Sequence, residues 1–119
     1  MFKSSTTLIF VFGSNLAGRH GKGAALFAKQ KHGAVQGQGV GRTGNAYAIP
    51  TKDENLNVLS LEEIERYVKD FRKYAKKHKE LTFLLTPVGT GLAGYSIKEM
   101  RSMFADMPNN VTFAGSWNK

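Results

Sequence analysis

TTLIFVFGSNLAGRHGKGAALFAKQKHG, residues 6–33, decides the fold. Its first seven residues are β-branched or apolar with almost no polar relief, the pattern of a strand buried on both faces in the middle of a sheet. The reading predicts that strand over 6–12, a loop over 13–23 and a helix over about 22–32. Ala24, Phe27, Ala28 and Lys31 are expected to share one helix face. Lys31 and His32 close the last turn and Gly33 stops it. Small residues in such a helix let it pack close to a sheet.

Downstream the same alternation repeats. Residues 34–44 read as a second loop, rich in Gly and Gln, and NAYAIP (45–50) reads as a short strand ended by Pro50. Ser60-Leu61-Glu62-Glu63 is a capping box opening a helix to about His78, with Leu61, Ile64, Tyr67, Val68, Phe71, Tyr74 and Ala75 on one face. LTFLLT (81–86) is a further buried strand, and residues 87–95 form a third loop. A second capping box at Ser96 to Glu99 opens a short helix, and the last strand covers 111–114. The order β-α-β-α-β-α-β predicts one α/β domain over 1–119, with a mixed, mainly parallel central sheet and helices on both faces in three layers.

Composition narrows the function. The chain has 119 residues, 41% of them hydrophobic, enough for one domain with a core. With no cysteine there is no disulfide framework or thiolate metal site, and His20, His32 and His78 lack metal spacing. The reading therefore includes neither a metal nor a cofactor. No apolar run reaches the roughly 20 residues that span a bilayer, so membrane partners are not expected and a soluble, cytoplasmic protein is. A net charge of +8 favours polyanionic partners.

Glycine placement is the sharpest signal. Nine of the 13 glycines lie between Gly13 and Gly44, and three more are Gly89, Gly91 and Gly94. Two of the glycine loops follow strands and lead into helix starts, the carboxyl edge where open α/β sheets bind ligands. There, glycine lets backbone N–H groups approach an anion and the helix dipole adds a favourable field. Gly89 to Gly94 also matches G-x-G-x-x-G with a strand before and a helix after. Gly39 to Gly44 matches it outside that context. Asp106, the nearest candidate for the acidic ribose partner, lies past the short helix, the two βαβαβ halves of a dinucleotide dehydrogenase are missing, and no G-x-x-x-x-G-K-[ST] is present.

Three blocks, FVFGSNLAGRHGKGAALFAKQKHG (10–33), NAYAIPTKD (45–53) and LTFLLTPVGTGLAGY (81–95), together resemble the macro domain, an ADP-ribose-binding superfamily. The nearest likeness is to its branch that removes ADP-ribose from carboxylate side chains. Arg19-His20-Gly21-Lys22-Gly23-Ala24-Ala25 is similar to that branch's R-x-G-x-G-x-A segment. Ile49-Pro50-Thr51-Lys52 is similar to its I-x-K strand end with one extra residue.

The resemblance implies binding of ADP-ribose or a related diphosphate nucleotide. Its contacts would be Asn15, Arg19, Gly21, Lys22, Gly23, Ala24, Thr51, Gly89, Thr90, Gly91, Leu92, Gly94 and Tyr95, with Lys52 in the covalent lysine's place. The chain departs from the family at two points. Ala93 stands where the branch has its assisting aspartate. The family's earlier strand and adenine-reading aspartate have no counterpart before Asp53, as in a domain shortened at its N-terminus. Hydrolysis of ADP-ribosyl bonds is a further possibility the likeness carries, with the partner carboxylate missing.

The alternative is nucleic-acid binding through the seven basic residues of 66–79 (Arg66, Lys69, Arg72, Lys73, Lys76, Lys77, Lys79). Glu62, Glu63 and Glu65 begin that helix and lysines end it, as its dipole prefers, so the run also reads as a solvated face. It shows no interleaved surface aromatics for stacking single-stranded bases.

Overall fold

The computed structural model of the protein describes residues 7–91, 93–114 and 117. Along these the order is β1 (Thr7–Asn15), α1 (Gly23–Lys31), β2 (Gly41–Thr43), β3 (Ala46–Lys52), α2 (Leu61–Lys77), β4 (Leu81–Leu85), α3 (Ile97–Met103) and β5 (Val111–Phe113). The chain is α/β, with one five-stranded mixed sheet in the order β2-β3-β1-β4-β5. β3, β4 and β5 join it in parallel pairings, and β2 joins antiparallel to β3.

Alternation along the strands divides the core. Ile9 and Val11 of β1, Tyr47 and Ile49 of β3 and Leu81, Phe83 and Leu85 of β4 pack with Ile64, Val68 and Phe71 of α2 and Met100 of α3. Phe10 and Phe12 of β1 and Ala46 and Ala48 of β3 pack with Ala25 and Ala28 of α1. Residues 9–12 of β1 are apolar without interruption because both faces of the strand are covered there. Each fully buried side chain of this size contributes about 1.5–3 kcal/mol of transfer free energy.

Several boundaries differ from the sequence reading, for physical reasons. β1 runs on through Gly13 to Asn15, since β3 continues alongside it to Lys52; Thr6 lies outside the described residues. Pro50 does not end β3. β2 pairs only with residues 46–48, so at Pro50 β3 has a neighbour on one side only. The register also shifts there, pairing Ser14 with Pro50 and Asn15 with Lys52 so that Thr51 is the extra residue. A one-sided strand at a bulge is where a residue without an N–H fits a sheet. The loop over 34–44 contains β2, a short strand with alternation too brief to read. In α1 the buried face is Ala25 and Ala28, whereas Ala24 and Phe27 are exposed.

Both capping boxes form: Ser60 with Glu63 and Ser96 with Glu99. Hydrogen bonds from the Ser60 backbone and then its side chain hold the Glu63 carboxyl below its ordinary 4.5, and Ser96 does the same for Glu99. A depressed folded value means these caps stabilise fully above the ordinary glutamate range and lose that contribution as pH falls through the lowered value. The unassigned Trp117 proves to be core. It is buried, donates from Nε1 to the Leu85 carbonyl at 2.7 Å and packs edge-on against Phe104 and Phe113.

The glycines of 34–44 serve close packing behind the first loop. A Cβ on Gly39 would fall 1.9 Å from the Asn15 carbonyl oxygen, and one on Gly18 2.3 Å from the Gly37 carbonyl carbon. A Cβ on Gly21 would meet nothing within 4 Å. Gly39→Ala is accordingly expected to cost about 3 kcal/mol, as overpacking against backbone does. Gly21→Ala should stay within about 0.5 kcal/mol of wild type in urea denaturation.

Candidate functional site

β1 lies between β3 and β4, and the chain leaves its carboxyl end toward α1 on the way to β2 and β3. From β4 the chain leaves toward α3 and β5 on the opposite side. The two connections diverge at neighbouring strand ends, the switch point at which open α/β sheets form a ligand crevice. The two loop starts touch: a Cβ on Gly13 would stand 3.4 Å from the Gly89 amide nitrogen. Thr86 fixes the second loop to the first strand, donating from both its amide and its hydroxyl to the Val11 carbonyl at 3.1 and 2.7 Å.

A cavity of about 600 Å³ opens at this point, within the range of small-molecule sites. Its wall collects most of the residues that the sequence had singled out: Asn15, Arg19, Gly21, Lys22, Gly23, Ala24, Thr51, Lys52, Gly89, Thr90 and Gly91. Gly94 and Tyr95 lie off it. Tyr95 instead donates its hydroxyl to the Leu59 carbonyl at 2.5 Å, and Leu92 is outside the described residues. Residues not singled out complete the wall: Gly13, Ser14, Ala25, Leu56, Thr86, Pro87 and Val88, together with Ala93. Nothing in local sequence marks Leu56 or Val88. They arrive because three neighbouring strands end together.

The cavity's electrostatics are one-sided. Arg19, Lys22 and Lys52 line it, and no Asp or Glu does among the described residues. Asp53, next to Lys52, turns to its own loop, its Oδ1 accepting from the amides of Asn55 and Asn57 at 2.9 Å each. No Lys52–Asp53 ion pair forms; among the described residues the one side-chain pair of this kind in contact is His78 Nδ1 with Glu80 Oε2, at 3.1 Å.

Backbone donors supply the rest. The amides of Gly21, Lys22, Gly23, Ala24 and Ala25 have no partner among the described residues, and neither do those of Gly89, Gly91 and Ala93. α1 starts without a side-chain cap or an acidic residue in its first turn, and its N-cap is the cation Lys22. Helix starts ordinarily satisfy such amides with a Ser, Thr, Asp or Asn side chain. An uncapped start beside a second set of amides unpaired among the described residues, with three cations lining the same cavity, has the donor set of an anion site.

Four side chains direct their hydrogen bonds into the protein rather than into the cavity. Asn15 closes its own loop: its Oδ1 accepts from the Arg19 amide at 2.9 Å and its Nδ2 donates to the Arg19 carbonyl at 3.0 Å. Its observed role is thus to position Arg19 and the turn, as Asn does in tight loops. Thr90 donates both its amide and its hydroxyl to the Pro87 carbonyl, at 3.2 and 2.7 Å, so neither faces a ligand as a free donor. His20 is fully buried rather than facing the cavity. Its Nε2 sits 3.1 Å from the Gln38 carbonyl and its ring meets Phe12 edge-on at 5.3 Å. The Thr51 hydroxyl likewise donates inward, to the Ser14 carbonyl at 3.3 Å.

Beyond the cavity, Arg66, Lys69, Lys73, Lys76 and Lys77 are exposed along α2, as are Glu62, Glu65 and Asp70. Among the described residues no helix is long and apolar enough to cross a membrane, and no cluster of His, Asp or Glu could hold a metal ion. Comparison with family models, with curated proteins and with solved structures finds no match to this chain.

Removing the Asn15 side chain should free the turn it closes. Asn15→Ala is expected to lower stability by about 1 kcal/mol, the net worth of the hydrogen bonds lost, as read from a chemical denaturation midpoint at unchanged slope.

Proposed function

We propose that this cavity binds ADP-ribose or a related diphosphate nucleotide, with the diphosphate held between the start of α1 and the loop after β4. The single observation that carries the reading is the meeting of two sets of unpaired amides with three cations and no lining carboxylate among the described residues. A phosphate monoester needs one such cradle, and two adjacent ones suit a pair of linked phosphates. The macro-domain likeness of residues 10–33, 45–53 and 81–95 supports the same ligand class. A three-layer arrangement follows if the two core clusters are read as opposite faces of the sheet.

Binding is favoured over hydrolysis. Lys52 lines the cavity and is available as a cation toward phosphate or ribose. A covalent lysine mechanism also needs a group to move protons, and the wall offers Ala93 where the related branch has an aspartate. Nucleic-acid binding through α2 has weaker support, since exposed acidic residues stand among its lysines.

Gly91 gives a clean test, because a Cβ there meets nothing within 4 Å and its φ is not in the left-handed region. Calorimetry is expected to detect ADP-ribose binding in wild type and weaker binding of AMP. Gly91→Glu should lower ADP-ribose affinity at least about tenfold at an unchanged melting temperature, by setting a carboxylate against the diphosphate. Equal affinity in wild type and variant would contradict the reading. Incubated with protein ADP-ribosylated on carboxylates, the wild type is expected to release no free ADP-ribose. Release that disappears in Lys52→Ala would make it a hydrolase.

A further inference from the structure

Leu56 is, among the described residues, the one non-glycine residue in the left-handed region, at φ 65°. That conformation disfavours a branched side chain, and glycine or asparagine holds it with little strain. Asparagines stand on both sides, Asn55 and Asn57, yet the strained place is filled by leucine. The turn enforces the geometry. The Asp53 carboxylate accepts from the amides of Asn55 and Asn57, the Asp53 carbonyl accepts from the Leu56 amide at 3.0 Å, and the Asn57 carbonyl accepts from the Asp53 amide at 2.8 Å. A bridge between Lys52 and Val58 closes its base.

The turn holds an apolar side chain where it gains little from folding. Leu56 remains 40% exposed, and what it faces is the cavity. An exposed leucine in strained backbone is disfavoured twice, so its position invites a functional reading. It stands on the β3 side of the cavity with Thr51 and Lys52, whereas the unpaired amides belong to the start of α1 and the loop after β4. The β3 side thus offers a cation and an apolar surface, and the other two sides offer the diphosphate donors.

We propose that Leu56 is a specificity-determining residue. Resting on the diphosphate-nucleotide reading above, it packs against the nucleoside end of the ligand and makes the site prefer a nucleotide to a bare diphosphate. The apolar face of a base or ribose would cover the leucine surface left open to water.

Calorimetry of wild type, Leu56→Gly and Leu56→Asn with ADP-ribose and with inorganic pyrophosphate tests this. Both replacements accept the left-handed conformation, and Leu56→Asn does so without the added chain freedom of glycine. ADP-ribose affinity is expected to fall roughly tenfold in both variants, with pyrophosphate affinity within about twofold of wild type. The melting temperature should be unchanged or raised, because strain is relieved. A loss of function paired with equal or higher stability separates a contact residue from a structural one. Unchanged ADP-ribose affinity in both variants would overturn the proposal. An equal fall for both ligands would also do so, since Leu56 would then only order the loop. Wild type that binds pyrophosphate no more weakly than ADP-ribose would reject the nucleoside contact while leaving the anion site intact. Wild type that binds neither would remove the nucleotide reading, and this inference with it.

Discussion

The contact between the ends of β1 and β4 governs the rest of the molecule. Thr86 gives both its donors to the Val11 carbonyl, and Gly13 approaches the Gly89 amide closely enough to leave only van der Waals room for a Cβ. This joins two loops that are more than 70 residues apart in the chain. The joint depends on β1 being buried on both faces, because only a central strand can have a parallel neighbour on each side and send its own connection away from that of β4. The apolar run of β1 and the crevice at its end are therefore one feature seen at two levels.

Glycine does two separate jobs around that crevice. Gly18 and Gly39 let the segment before β2 pack against the first loop at distances no side chain permits. Ser14 adds a hydrogen bond to the Gly39 carbonyl, and buried His20 one between its ring and the Gln38 carbonyl. Gly21 and Gly91, by contrast, face open space on the cavity wall. The first kind makes the loop rigid from behind, and the second leaves backbone donors accessible in front. A preorganised cradle of this sort spares the ligand the cost of ordering the chain.

Much of this was legible in residues 6–33, where a two-faced strand, a glycine loop and a small-residue helix follow one another. The two capping boxes fixed the starts of α2 and α3 because Ser and Glu at that spacing have a specific local partner. What escaped was set by neighbours distant in sequence. β2 is a three-residue strand that forms against β3, and Pro50 is tolerated because β2 stops short of it. Whether an alanine-rich helix buries Ala25 or Ala24 depends on how it lies on the sheet. Site residues with generic side chains were invisible for the same reason, Leu56 and Val88 above all. For polar side chains, position was more legible than hydrogen-bond partner. Asn15 ends β1 and His20 and Thr90 lie in the loops, yet the side chain of each spends its hydrogen bonds on backbone groups of the protein.

On the proposed reading, amides from two separate loops act on one ligand. Amide chemical-shift mapping during titration with ADP-ribose tests it most directly. The resonances of residues 21–25 and of Gly89, Gly91 and Ala93 are expected to shift together along one binding curve. Shifts confined to one loop, or concentrated on the exposed face of α2, would contradict it.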